Sequence, residues 1–182
     1  YPNDISTISQ SLALLENGLK MEGLEGVHIE ASAEHMIDAN FETLLEEDKV
    51  MPLQKNYLLI EMSYLQASIN FEEAVGKIAK KRLFPILAHP ERYVFLHNKL
   101  KKYEKMKNKG ILFQMNLLSL GEFYGKDVQQ NAFRLLDAGL INFMASDVHN
   151  MNQLKGLKEI KVSSKLLETL LPLIEKTIYN FG

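Results

Sequence analysis

Short apolar runs alternate with segments of helical period along the whole chain, and that alternation restricts it to a parallel α/β architecture. Five stretches have strand character: Val27–Ala33, Tyr57–Met62, Phe84–His89, Ile111–Asn116 and Ile141–Asp147. The second, third and fifth contain near-continuous apolar runs, as expected of strands buried on both faces. Helical spacing places helices over Ser6–Glu22, Asn70–Arg82, Lys99–Lys109, Lys126–Ala138 and Ser163–Tyr179. The first has Asp4 at its start; Gly110 and Gly139 end the third and fourth; Pro172 lies inside the last and is expected to kink it. The 182 residues show no composition shift, repeat or linker, so a single domain over 1–182 is expected. A barrel and an open doubly wound sheet both satisfy this pattern.

The polar residues at the strand ends separate the two. The first strand is expected to lead into Glu34, the second to end in Glu61, the third in His89, the fourth in Asn116, and the fifth in Asp147 followed by His149. In a parallel barrel those ends open onto one mouth, whereas an open sheet strings them along an edge. A barrel is therefore expected. The mixed carboxylate and imidazole set Glu34, Glu61, His89, Asp147 and His149 suits manganese, iron or zinc, with magnesium also accepted. Glutamates can bridge two cations about 3.5–4 Å apart, the spacing of two-metal hydrolases. Arg92 follows His89 around the turn at Pro90, and its planar fork suits phosphate oxygens. Taken singly, each residue has a plainer reading: Glu34 and Asp147 as caps, His89 as a core histidine, His149 as a surface residue, Arg92 in an ion pair. Repetition at successive strand ends is what favours ligation. His28, His35 and His97 are expected to stand outside the site, and Lys126 in solvent.

Several function classes are excluded or disfavoured. A net charge of −2 recommends neither nucleic acid nor an anionic membrane as partner. The chain has no cysteine, which removes disulfides, zinc-thiolate sites and thiol-nucleophile phosphatase chemistry. Its apolar runs fall far short of the roughly 20 residues that span a bilayer, and the polar start Tyr1–Asp4 does not read as a signal peptide, so a cytoplasmic location is expected. The oligomeric state is open, a homo-oligomer included.

At His89–Tyr93 (HPERY), with Leu58–Met62 (LLIEM) before it and Ala145–Asn150 (ASDVHN) after it, the chain resembles the PHP-type tyrosine-protein phosphatases of bacterial capsule and exopolysaccharide operons. Ala33–Asp38 (AEHMID) and Leu112–Gln129 (LFQMNLLSLGEFYGKDVQ) extend the resemblance in the same order, over all 182 residues. It implies a distorted (β/α)7 TIM-like barrel with up to three metal ions, manganese first, at its C-terminal mouth. It further implies Glu34 as a bridging carboxylate, Glu61 and His89 on one metal, Asp147 and His149 on the others, and Arg92 holding the phosphoryl group. The implied substrate is phosphotyrosine on a membrane-associated tyrosine autokinase. A phosphatase of small metabolites, of the histidinol-phosphate type, and a non-catalytic kinase-binding scaffold are the alternatives.

The family pattern also opens with a His-x-His strand and carries a later Thr-Pro-His, neither of which occurs here. Two βα units, about 60 residues, would be missing from the barrel. A chain that starts at Tyr1 is expected to be several ligands short, with an unpaired edge strand and impaired catalysis. The extra arginine that some relatives carry after Asp147-Val-His149 is absent too, with Lys155 a poor substitute.

Overall fold

The computed structural model describes residues 4–54 and 56–182. Its elements run α1 (Ile5–Met21), β1 (Glu34–Met36), α2 (Phe41–Glu46), β2 (Tyr57–Glu61), α3 (Phe71–Lys80), β3 (Phe84–Ala88), α4 (Leu100–Asn108), β4 (Leu112–Asn116), α5 (Lys126–Asp137), β5 (Phe143–Ala145), α6 (Met151–Glu159) and α7 (Ser164–Phe181). Short 3-10 turns cover Pro90–Arg92, Val94–Leu96 and Leu117–Leu120. All strand pairings are parallel, and the five strands lie side by side in chain order. The order never reverses, which distinguishes this sheet from a doubly wound one.

One face of the sheet is apolar. Ile60 pairs in register with Leu87 and Leu87 with Phe113, and Met115 pairs with Met144. All are buried in one core with Phe41 and Leu45 of α2, the Phe71, Ala74, Val75 and Ile78 stripe of α3, and Ala132, Leu135 and Leu136 of α5. The opposite face is closed at the strands' N-terminal ends by the end of α7. There Phe181 packs 5.2 Å from Tyr57 and 4.9 Å from Phe143, ring centre to ring centre. Thr177 Oγ1 accepts from the Met144 N–H at 3.0 Å, so α7 also satisfies a donor on the β5 edge. The C-terminal ends of the strands stay open, and the polar residues gather there.

The first strand departs from the sequence expectation. Residues 27–33 form no ladder, because a loop takes their hydrogen bonds: the Ala33 N–H and Ser32 Oγ both donate to the Met51 carbonyl, at 3.3 and 2.8 Å. The paired triplet is Glu34–Met36, so Glu34 begins β1 rather than following it. The fifth strand is trimmed for a similar reason. Asn142 Oδ1 accepts the Phe113 N–H at 2.9 Å, a side chain standing in for a ladder partner, and pairing begins at Phe143. Two helices had no expectation: α2, whose start is held by Asp38 Oδ1 on the Phe41 N–H, and α6, capped by Asn150. The helix at the start of the chain is present and boxed by Asp4 and Thr7, yet none of its side chains is buried. Pro172 does not interrupt α7. No helix among the described residues is long and apolar enough to cross a membrane.

Candidate metal centre

Each site residue is placed by a strand end or by the turn that leaves it. Glu61 is the last residue of β2; register pairs Glu34 with Leu59, two positions earlier, so both carboxylates share one face of the sheet. His89 follows β3 in a left-handed conformation, φ 34° and ψ 55°, which turns the chain sharply into Pro90–Arg92. Asp147 leaves β5 with φ 51°, again left-handed. Such backbone is uncommon outside glycine and clusters where function over-determines it. The buried Tyr93 hydroxyl pins β2 to β3, accepting from the Met62 N–H and donating to the Ala88 carbonyl, both at 3.1 Å. The residues carrying Glu61 and His89 are thereby held together.

Glu34, Glu61 and His89 form a compact donor group, with one ligand atom from each lying within 4.8 Å of the others. His89 Nε2 is 2.8 Å from Glu34 Oε1 and 3.6 Å from Glu61 Oε2. Asp147 and His149 line the same cavity, of about 250 Å³, together with Tyr64, Arg92 and Gln153, but they lie outside that compact group. Asp147 Oδ2 accepts from Asn116 Nδ2 at 2.6 Å and from Arg92 at 3.5 Å. His149 has Nδ1 3.0 Å from the Asp147 carbonyl, with its side chain 70% exposed. All five expected ligands and Arg92 therefore meet at one cavity, and three of the five converge closely.

Sequence reasoning missed the support beneath. Glu91 is fully buried; its Oε1 accepts from Ser119 Oγ at 2.6 Å and from the Asn116 N–H at 3.1 Å, while Oε2 has no partner among the described residues. Asn116, so fixed, reaches Asp147. Burial raises the Glu91 carboxyl pKa against the hydrogen bond from Ser119. The HPER spacing was the available signal, since an acid beside a buried histidine must find partners. His35 is buried and outside the compact donor group, accepting from the Met51 N–H, while His28 and Lys126 are exposed. His97 lies against the Glu91 carbonyl at 2.9 Å, in the supporting turn.

Electrostatics show what this arrangement wants. Burial alone lowers the His89 pKa, but the carboxylates of Glu34 and Glu61 outweigh it and bring it to about 9. In the metal-free protein a proton on the ring is thus the cation between two acids. That fits an oxygen and nitrogen site for a hard or borderline divalent cation. The sign follows: protonated His89 favours the metal-free fold fully below its ordinary pKa, and this support fades as pH rises through about 9. A divalent cation must displace that proton, so its apparent affinity should rise by up to about tenfold per pH unit between pH 7 and 8. Calorimetry in buffers of different ionisation enthalpy should count about one proton released per ion; zero protons released would contradict the site.

A family model described as "Capsular polysaccharide synthesis, CpsB/CapC" matches residues 2–167. The chain is 27% identical over 152 residues to the tyrosine-protein phosphatase YwqE of Bacillus subtilis, covering 83% of this chain and 59% of YwqE. It is 27% identical over 168 residues to the putative tyrosine-protein phosphatase CapC of Staphylococcus aureus, covering 91% of this chain and 66% of CapC. The chain thus spans less than two thirds of either relative. Among solved structures it matches one from a study of YwqE from Bacillus subtilis and CpsB from Streptococcus pneumoniae, described as metal-dependent tyrosine phosphatases. That match has a TM-score of 0.79 at 25% identity, over 100% of this chain and 76% of the other. An extended family match, a shared fold and a Glu-Glu-His donor group coincide, and the chain belongs to the CpsB/CapC family of capsular polysaccharide synthesis.

Proposed function

We propose that this chain carries the metal-binding body of a PHP-class protein-tyrosine phosphatase, a single domain of the (β/α)7 type, working in the cytoplasm. Its substrate is phosphotyrosine on a membrane-associated tyrosine autokinase, and its action sets the output of capsule or exopolysaccharide synthesis. The observation that carries this reading is one cavity in which Glu34, Glu61 and His89 face the Arg92 guanidinium. The non-reversing strand order supports the barrel.

Glu34, Glu61 and His89 would hold one ion, preferably manganese, with Asp147 and His149 serving others in a cluster of up to three. Ions held there would supply hydroxide at neutral pH by lowering the pKa of water to about 7. Arg92 meets the phosphoryl oxygens as a fixed cation, neutralising charge that grows during in-line displacement. Asp147 orients that cation, and Asn116 orients Asp147. A phenolate leaving group, pKa about 10, needs only modest proton assistance. No cysteine is present to form a thiol phospho-enzyme.

Turnover of a phosphotyrosine peptide against a panel of phosphorylated metabolites tests the reading. The peptide should be preferred, activity should vanish on chelation and return with manganese, and no phosphorylated protein should be trapped. Faster turnover of a metabolite would move the assignment to a small-molecule phosphatase. A non-catalytic scaffold is the second reading, favoured by the outward position of His149; metal content of one ion or fewer per chain would support it.

A further inference from the structure

Arg92 is held in an unusual way. Its Cζ lies 4.2 Å from the ring centre of Tyr64, in the loop after β2, and 4.2 Å from that of Tyr124, just before α5. These are two aromatic faces from distant parts of the chain on one guanidinium. Its side chain is only 19% exposed, yet its one hydrogen bond among the described residues is the long 3.5 Å contact to Asp147. A partly buried cationic fork with five N–H donors and one weak acceptor has most of its donors free for an anion.

Both tyrosines have neighbours of their own. The Tyr64 carbonyl accepts from the Val94 N–H at 3.0 Å, and its ring lies 5.3 Å from that of His89. Tyr124 stands edge-on to Phe123 at 5.1 Å, and its hydroxyl meets Gln153 Nε2 at 3.5 Å. Guanidinium faces covered by π-clouds leave only the edge for hydrogen bonding. Tyr64, Arg92 and Gln153 all border the cavity of the metal centre.

We propose that Tyr64 and Tyr124 are positioning residues that clamp Arg92 with its N–H edge toward the cavity, building a rigid fork for the phosphoryl oxygens of a phosphomonoester. The inference deepens the phosphatase reading and rests on it for the identity of the substrate. The clamp presents a pre-set bidentate donor pair, so the anion does not have to order a mobile side chain on arrival.

The test uses the manganese-loaded protein and inorganic phosphate as probe, with phosphate affinity measured by calorimetry. Tyr64→Leu/Tyr124→Leu should weaken phosphate binding about tenfold or more, whereas Tyr64→Phe and Tyr124→Phe, which keep the faces, should stay within about threefold. Manganese uptake should be unchanged in all three variants, which excludes a collapsed site. In an Arg92→Ala background the leucine changes should have no further effect on phosphate binding. With a phosphotyrosine peptide the leucine pair should raise KM more than it lowers kcat. Wild-type phosphate affinity in the leucine pair, an equal fall in the phenylalanine variants, a further loss in the Arg92→Ala background, or no phosphate binding by the wild type would each overturn the clamp. If the wild type binds manganese and phosphate but leaves the peptide intact, the clamp stands and the phosphatase reading fails.

Discussion

His89→Ala should lower kcat/KM by at least about 10³-fold, roughly 4 kcal/mol of lost transition-state stabilisation. The ring is 2% exposed and is the one imidazole in the compact donor group. Removing it takes away a proposed ligand and leaves the carboxylates of Glu34 and Glu61 facing a void. The same variant should retain less metal after dialysis, as elemental analysis would read directly. Because His89 also carries the proton that bridges both acids in the metal-free state, the variant should lose the proton release on ion binding as well. A variant that kept full metal content and lost less than tenfold in rate would place the catalytic ion elsewhere.

Glu91→Ala should destabilise the metal-free fold by about 3 kcal/mol, read as a lowered denaturation midpoint with an unchanged slope. The side chain touches neither the cavity nor solvent; what it supplies is acceptance. Without it the Asn116 N–H and Ser119 hydroxyl lose a buried partner, and the space it filled is left empty. Glu91→Gln keeps an acceptor oxygen and nearly the same volume, so it should lose only about 1 kcal/mol. An alanine variant within experimental error of wild type would show that Asn116 and Ser119 find other partners. Since Asn116 also steadies Asp147, and Asp147 meets Arg92, part of the loss should reappear as reduced activity at temperatures where the variant is still folded.

Much of this could be read from residue order alone, for identifiable reasons. β2, β3 and β4 are short apolar runs ended by polar residues, and α3 and α5 carry their apolar stripes at helical spacing. Each signal is local. Pairing of β1 is not local: Glu34–Met36 is too short to show alternation, and its register depends on where the Met51 loop crosses. Glu34 was thus found as a site residue from an incorrect strand. The Asp147-x-His149 spacing brought both residues to the cavity, but neither into the compact group: Asp147 turns to Asn116 and Arg92, and the His149 ring lies against the Asp147 carbonyl. Tyr64 and Tyr124 carried no signal, since a ring stacked on a distant guanidinium looks like any other tyrosine in a loop. Glu91 could have been suspected from its place inside HPERY, but its partners Asn116 and Ser119 come from another strand and turn.

The positive φ angles of His89 and Asp147 give the protein a built-in conflict. At both positions glycine would suit the main chain better, by about 1 kcal/mol each. Glycine would nonetheless cost the fold more than it returned, because the His89 ring fills a buried position between Glu34 and Glu61 and Asp147 accepts from Asn116. The backbone strain is thus held in place by the side chains themselves, at the two places where the chain turns away from the sheet.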